Sequence, residues 1–408
     1  MRRVVITGMS GITALGESWA DIGPALHAGS AGIRYMPEWE NKEDLTTRLG
    51  GPADNFKHES IYPRQKARSM GRVATMMVYN SERALRQAGL LDDPLLKSGR
   101  VGVAAGSSFG STPPIQSFVH FMETGKSSGL NATSYIRMMS HTGPINVAVF
   151  FGLQGRVLTT SSACTSASQG IGYAAETIRS GAQDVMIAGG ADEFCVTMSM
   201  VFDRLYATSR RQDDPQHAIR PFDATRDGLA IGEASGMLVL EELEHALARG
   251  AKPIAEIVGF ATNCDGTHIS QPNPDTQEVV MREALQSAKM DASDISFVSA
   301  HGTGTMAGDI VESQASRAVY GDKVPLHTLK GNFGHTLGAC AAIEVWLGIE
   351  MMKDGRISHT ANLSEVDPKC AELDYVMGQS RAVGRNAFVS NNFAFGGVNT
   401  SLVISNYE

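Results

Sequence analysis

Short apolar runs that end in glycine or another small residue recur along this chain, at residues 4–8, 101–106, 185–190, 295–300, 387–390 and 401–404. Nothing else in the sequence limits the fold as much. A run of this length bounded by small residues reads as a strand buried on both faces. Between the runs lie longer segments with apolar residues at helical spacing, over 72–88, 167–180, 277–288, 310–320 and 339–354. Strands alternating with helices predict an α/β protein in which helices cover both sides of buried sheets.

The pattern also repeats. A strand ending in small residues precedes a glycine-rich turn at 101–106 and 185–190, and the arrangement returns at 295–301 and around 391–397. The chain therefore reads as two similar halves, residues 1–255 and 256–408, joined near 255–259. Residues 204–222, rich in Arg, Asp, Gln and Pro, are expected to form an irregular cap over the first half. Residues 263–275, with two prolines, read as a second long loop, and long loops in compact proteins often carry function.

With 408 residues, 42% of them hydrophobic and 19% charged, the chain can build a large core and is too apolar for disorder. Its 35 Lys and Arg against 43 Asp and Glu leave a formal net charge of −8, so no chain-wide basic field holds nucleic acid or anionic lipid. An acidic partner must meet a local basic patch. The scattered cysteines, without a CxxC pair, fit neither a disulfide framework nor a zinc cage and predict a reducing compartment. The first apolar run is too short for a signal-peptide core, and no stretch reaches the ~20 apolar residues of a membrane span. A cytoplasmic protein is expected.

The residues suited to chemistry sit in frames of Gly, Ser and Thr. Cys164, in Thr160-Ser161-Ser162-Ala163-Cys164-Thr165-Ser166, lies between a β-like run at 157–159 and an amphipathic helical pattern, which places it at a helix N-terminus. There the free N–H groups and the macrodipole favour a nucleophilic thiolate. A small buried hydrophobe is the competing reading. His301, in Ser299-Ala300-His301-Gly302-Thr303-Gly304-Thr305, follows a strand, where open α/β sheets place their ligands. The hydroxyls of Thr303 and Thr305 can hydrogen-bond an extended amide-bearing arm; the plainer alternative is a turn histidine bonded to its own loop.

His335, in Lys330-Gly331-Asn332-Phe333-Gly334-His335-Thr336-Leu337-Gly338, opens a helix that also carries Glu344. The positive end of the helix dipole would keep the imidazole neutral, so that its Nε2 can donate to a developing oxyanion. Lys330 is either a solvated surface lysine or the charge that holds and polarises His335. Near the C-terminus, Phe393-Ala394-Phe395-Gly396-Gly397 is either a turn into the last strand or a functional element. In the second case a backbone N–H completes an oxyanion hole and an aromatic on glycine hinges acts as a gate.

In this order the segments resemble those of the β-ketoacyl-[acyl carrier protein] synthases of the I/II (Cys-His-His) type, in the thiolase superfamily. The likeness extends to Arg3-Val4-Val5-Ile6-Thr7-Gly8, Arg220-Pro221-Phe222-Asp223, Arg226-Asp227-Gly228, Gly232-Glu233-Ala234, and Gly308-Asp309 with Glu312, and so covers essentially the whole chain. It implies a five-layered αβαβα fold of two duplicated halves, usually dimeric. The N-terminal half would hold the nucleophilic cysteine and cap insertions, and the C-terminal half both histidines. The implied reaction is decarboxylative Claisen condensation of an enzyme-bound acyl thioester with malonyl-acyl carrier protein, in fatty-acid or polyketide and polyene elongation.

The resemblance implies a role for each residue. Cys164 takes the acyl chain, and the N–H groups of Cys164 and Phe395 hold its carbonyl oxygen. His301 and His335 assist loss of CO2 and stabilise the enolate, with Lys330 as the supporting charge and Glu344, Asp309 and Glu312 in support. Thr303 and Thr305 hold the phosphopantetheine arm, which enters on the carrier protein, and Phe395 is the gate beside Phe393. No metal or redox cofactor is implied, because decarboxylation supplies the carbanion. Arg64, Lys66, Arg68, Arg72 and Lys126 are the candidate docking patch for an acidic carrier protein; a solvated helix face is the alternative.

Ala394 stands where the family pattern has glycine, Gly304 where it has serine, and Met306 where it has proline. Phe109 is bulkier than usual at the entry of the acyl pocket. These departures point to a specialised elongating enzyme. A chain-length factor, the non-catalytic partner in ketosynthase heterodimers, lacks the nucleophile, so in such a pair this chain would be the catalytic member. A degradative thiolase would need a second cysteine near the C-terminus, and residues 391–408 contain none.

Overall fold

In the computed structural model, which describes residues 2–57 and 60–407, the apolar runs become strands of one 11-stranded sheet. In chain order these are β1 (Val4–Ile12), β2 (Val101–Gly106), β3 (Val157–Thr159), β4 (Val185–Asp192), β5 (Ala234–Glu242), β6 (Ala255–Cys264), β7 (Ile295–Ser299), β8 (Pro325–His327), β9 (Asp374–Tyr375), β10 (Ala387–Phe393) and β11 (Val398–Asn406). Their spatial order is β9-β8-β7-β10-β11-β6-β1-β5-β4-β2-β3. From the central pair outward, β6-β11-β10-β7-β8 and β1-β5-β4-β2-β3 run through the same succession of two antiparallel and then two parallel pairings. This is the duplication expected from the sequence, with β9 added at one edge.

Among the described residues the two half-sheets pair only where Val5 faces Glu256 and Ile6 faces Ala255. So short a seam lets them diverge and enclose a pair of helices, α3 (Ser166–Arg179) and α6 (Cys340–Asp354). One core joins Ile171 and Ala174 of α3 and Trp346 of α6 to Met186 and Leu238 of the first half and Phe388 and Leu402 of the second. Gly170 marks a close approach of helix to strand in this layer: a Cβ there would stand 2.8 Å from the Ala104 carbonyl oxygen. Residues 340–349 of α6 are buried on every side, as a helix without a polar face must be.

The outer faces are covered separately. Helices α1 (Arg72–Gln87) and α2 (Thr142–Phe151) pack Val73, Met77 and Val147 on Val103, Ile187 and Val239. On the other side α4 (Pro274–Ala288) and α5 (Met306–Tyr320) pack Val280, Leu285 and Val319 on Val298, Val389 and Val403. The result is helix, sheet, helix, sheet, helix.

The helices lie where the spacing puts them, to within a few residues at either end. The sequence reading missed β5 and treated the start of β6 only as a junction, because glycine and charged residues interrupt both runs. Each is nonetheless central, with helices on either face. Among the described residues no helix is long and apolar enough to cross a membrane.

Candidate active site

Cys164 follows β3, His301 follows β7 and His335 lies beyond β8, so all three arrive from the carboxyl ends of parallel strands. Their sulfur and one ring nitrogen of each histidine lie within 4.8 Å of one another, and all three residues are buried. The turn 393–397 between β10 and β11 completes the cluster. A cavity of about 330 Å³ opens from these residues past Thr303, Thr305 and Met306, and between the loops 205–207 and 268–272. Both loops marked as functional in the sequence therefore wall this cavity.

Cys164 occupies a single turn, Ala163–Thr165, immediately before α3. Ala163 holds a left-handed φ of 53°, a costly conformation for a residue with a Cβ. The Ser166 hydroxyl pins the turn, donating to the Ala163 carbonyl at 2.7 Å and accepting from the Ser162 N–H at 3.0 Å. Burial pushes the Cys164 thiol up to about 12; Lys330 and the N–H groups of Phe395 and Cys164 itself pull it down without prevailing. The expected thiolate at a helix N-terminus is thus overturned, since desolvation of the thiol outweighs the nearby N–H groups.

His335 Nε2 lies 2.9 Å from Cys164 Sγ. The Leu337 N–H donates to His335 Nδ1 at 3.3 Å, so in the neutral ring Nδ1 is the acceptor and Nε2 carries the hydrogen. Burial, and then Lys330, hold its pKa well below the ordinary value. The ring is neutral, as expected, although burial rather than a helix dipole is the main cause. The same tautomer is wrong for a metal ligand at Nε2, although Cys, His and His are zinc-type donors.

The His301 ring lies edge-on to His335 with centroids 5.2 Å apart, and Phe393 lies 6.0 Å away on another side. Burial, Lys330 and His335 keep His301 neutral as well. Its Nδ1 is buried and has no hydrogen-bond partner among the described residues. The turn beneath it is held by carboxylates. Glu312 accepts from the N–H groups of His301 at 2.7 Å and Gly302 at 2.6 Å, and Asp309 accepts from Gly304 at 3.1 Å and Phe222 at 2.7 Å. Burial raises Glu312 to about 8 and Asp309 to about 6. Arg226, fully buried, bridges Asp309 at 3.4 Å and Asp367 at 2.7 Å.

Lys330 is no surface lysine. Its Nζ donates to Glu344 Oε1 at 2.6 Å, with both side chains about 3% exposed. Burial acts to lower its pKa, but Glu344 outweighs this and the net shift is upward, so the ammonium persists beside both histidines. Thr303 and Thr305 bring their hydroxyls to 2.9 Å of each other on the cavity wall. Phe395 packs on Phe202 with centroids 5.2 Å apart, and the left-handed φ values beyond it fall on Gly396 (90°) and Gly397 (74°). Ala394 needs no such conformation, so its methyl group is accommodated.

Two expectations fail. Phe109 does not reach the Cys164 cavity; it is 41% exposed and lines a second groove with Thr112, Ile115, Gln116 and Val119. The start of its loop is tied to the turn after His335 by Asp192, which accepts from the Ser107 and Ser108 hydroxyls at 2.5 and 2.8 Å and from the Gly338 N–H at 2.6 Å. Arg72 is not a docking residue: it is bonded to Glu233 at 2.5 Å and to the carbonyls of Phe56 and Ala53. Arg64, Lys66, Arg68 and Lys126 are exposed. The reading also missed Asp192, Phe202, Cys340 and Asn392, whose roles come from contacts across long stretches of chain.

The comparisons agree with this geometry. The family model for the β-ketoacyl synthase N-terminal domain matches residues 1–246, and that for the C-terminal domain matches residues 254–364. A 3-oxoacyl-[acyl-carrier-protein] synthase 2 from Synechocystis is 33% identical over 100% of this chain and 99% of that protein. A β-ketoacyl synthase from Burkholderia phymatum superposes with a TM-score of 0.98 at 51% identity, covering 100% of both chains. The ishigamide ketosynthase/chain length factor superposes at 0.91 with 30% identity, again over 100% of both. With both domain models matched in order around a Cys-His-His cluster, this chain belongs to the β-ketoacyl synthase family.

Proposed function

We propose that this protein is an acyltransferase that condenses a Cys164-bound acyl chain with malonyl-acyl carrier protein, releasing CO2 and a β-ketoacyl product two carbons longer. The observation that carries this reading is the His335 Nε2–H aimed at Cys164 Sγ at 2.9 Å. It supplies a neutral hydrogen-bond donor beside the nucleophile, where a carbonyl oxygen of the second substrate would gain charge.

In the first half-reaction the Cys164 sulfur attacks the carrier thioester, and the oxyanion rests on the N–H groups of Cys164 and Phe395. The C–S bond to the carrier arm breaks, and the departing sulfur takes the proton that the Cys164 thiol gives up. In the second, the malonyl arm lies along Thr303 and Thr305. Its carboxylate leaves as CO2, and His335 and His301 share the enolate oxygen. The enolate carbon attacks the acyl-cysteine carbonyl, the Cys164–acyl bond breaks, and one proton from solvent restores the thiol.

Burial, and then Lys330 fixed by Glu344, keep both histidines neutral, and neutral imidazoles are the form that donates without binding the malonyl carboxylate as an ion pair. The chemistry calls for no metal or redox cofactor, since loss of CO2 generates the carbanion. The carrier protein docks on Arg64, Lys66, Arg68 and Lys126. The chain works as a homodimer or as the catalytic member of a pair with a chain-length factor, and its free thiols suit the cytoplasm.

Intact-protein mass spectrometry tests the scheme. The enzyme is mixed with saturated and polyunsaturated acyl carrier protein thioesters, and malonyl carrier protein is added. Acyl mass should appear on Cys164 and vanish as the longer product forms. Cys164→Ala should abolish condensation, whereas Cys164→Gln, with an amide where the acyl thioester would be, should still decarboxylate. Normal condensation by both variants would refute the assignment.

A further inference from the structure

A second cysteine lies against the nucleophile and takes no part in the scheme above. Cys340, the first residue of α6, is 2% exposed, and its thiol donates to the main-chain carbonyl of Cys164 at 3.2 Å. One helical turn on, Glu344 lies on the same face of α6. Both side chains meet Asn392 of β10: its Nδ2 donates to Glu344 Oε2 at 2.7 Å and approaches Cys340 Sγ at 3.5 Å. Glu344 in turn accepts from Lys330. A continuous buried chain therefore runs from the Lys330 ammonium through Glu344, Asn392 and Cys340 to the backbone of the nucleophile.

The recipient of this chain is a strained turn. Ala163 is left-handed, and the Cys164 carbonyl belongs to the single turn that precedes α3. Ser166 holds the peptide before Cys164 through the Ala163 carbonyl. The Cys340 thiol holds the peptide after it. The Cys164 N–H, in the peptide that Ser166 holds, points toward its own sulfur, the direction required of an oxyanion donor, and the Cys340 bond fixes the second peptide plane at the same Cα. Burial, together with the Glu344 charge, keeps the Cys340 thiol protonated, the only form in which it donates.

We propose that Cys340 is a positioning residue: its S–H···O=C bond to Cys164 sets the orientation of the nucleophile's backbone and couples it to the Lys330–Glu344–Asn392 network. This rests on Cys164 being the acyl acceptor. Single-turnover acylation of Cys164 by a carrier-bound thioester, followed by intact-protein mass spectrometry, compares the wild type with Cys340→Ala and Cys340→Ser. Loss of one such hydrogen bond should slow the maximal acylation rate of Cys340→Ala about three- to tenfold, with the substrate concentration at half-maximal rate unchanged. Cys340→Ser, which retains a donor in slightly less volume, should recover most of the rate.

Wild-type rates in Cys340→Ala, or equally slow Ala and Ser variants, would overturn the proposal, the second outcome indicating that only the volume of the thiol matters. If Cys340→Ala does not fold, the S–H infrared stretch of the wild type, assigned by its loss in Cys340→Ser, decides: a hydrogen-bonded frequency supports the bond and a free one refutes it. Failure of the wild type itself to take up an acyl group would count against the function proposed above, and is distinguishable from either result.

Discussion

His335 Nε2 stands 2.9 Å from Cys164 Sγ as a hydrogen donor, because the Leu337 N–H occupies His335 Nδ1. A histidine in this tautomer cannot accept the thiol proton through Nε2 until that nitrogen loses its own. It is built to donate to charge that develops later. Removing it with His335→Ala should therefore lower condensation by about 10²–10³-fold, the usual effect of losing one oxyanion donor. Acylation of Cys164 should suffer much less. Separate mass-spectrometric rates for loading and condensation check this; equal losses in both steps would refute the division of labour.

The thiol of the unliganded enzyme is a weak acid, held up near 12 by burial. Below that value the thiolate fraction grows about tenfold per pH unit. Alkylation of Cys164 by iodoacetamide should therefore keep rising through pH 10. Lys330→Met, which removes the strongest influence favouring the thiolate, should slow alkylation further at every pH. A plateau near neutrality in the wild type would contradict the burial argument.

Lys330 and Glu344 form an ion pair with each side chain about 3% exposed. Removing one partner leaves the other charge buried and alone, which costs about 3–5 kcal/mol. Glu344→Leu should lower the urea midpoint accordingly. The double variant Lys330→Met/Glu344→Leu should recover much of the stability while remaining inactive. Urea unfolding at pH 7 measures both.

Docking and folding separate within one basic cluster. Arg64→Glu, Lys66→Glu and Arg68→Glu should each raise the KM for carrier-bound substrate, with an effect that shrinks at high salt. Arg72→Ala should instead destabilise the fold by roughly 3 kcal/mol, since it strands the nearly buried Glu233. Titration of KM against NaCl, beside thermal melts, distinguishes the two classes.

His327, fully buried beneath Phe297 and near Ser358 and His359, is held down to about 3, first by burial and then by His359. The unfolded chain binds a proton at about pH 6.5 and the folded chain does not, so stability is complete above that pH and falls as pH drops toward 3. The slope from this group approaches 1.4 kcal/mol per pH unit. Denaturant unfolding between pH 7 and 5 should show the loss, and His327→Asn should flatten it.

Much of the catalytic cluster was legible because glycine and threonine frames mark backbone that must turn tightly beside a strand end. Cys164, His301, Lys330, His335, Thr303 and Thr305 all stand out in this way; the structure brings five of them to one cavity and buries Lys330 behind it, paired with Glu344. Asn392 and Cys340 carry no such mark. An asparagine next to an aromatic and a cysteine in an alanine-rich helix look like packing until α6 and β10 are side by side. Arg72 misled for the opposite reason: in sequence it belongs to a run of cations, and only its fold neighbour Glu233, far along the chain, removes it from the surface.

The alternation of strands and helices and the two-half organisation were legible from local periodicity, and the glycine and threonine frames marked the candidate reactive residues through backbone freedom at single positions. Protonation and contact came from the fold. Cys164 is a thiol because its turn is buried, His335 is an Nε2–H donor because of one backbone N–H, and Lys330 is a cation because Glu344 comes from a different helix. Desolvation and long-range hydrogen bonds set these states, and neither exists until the two halves have closed on the central helices.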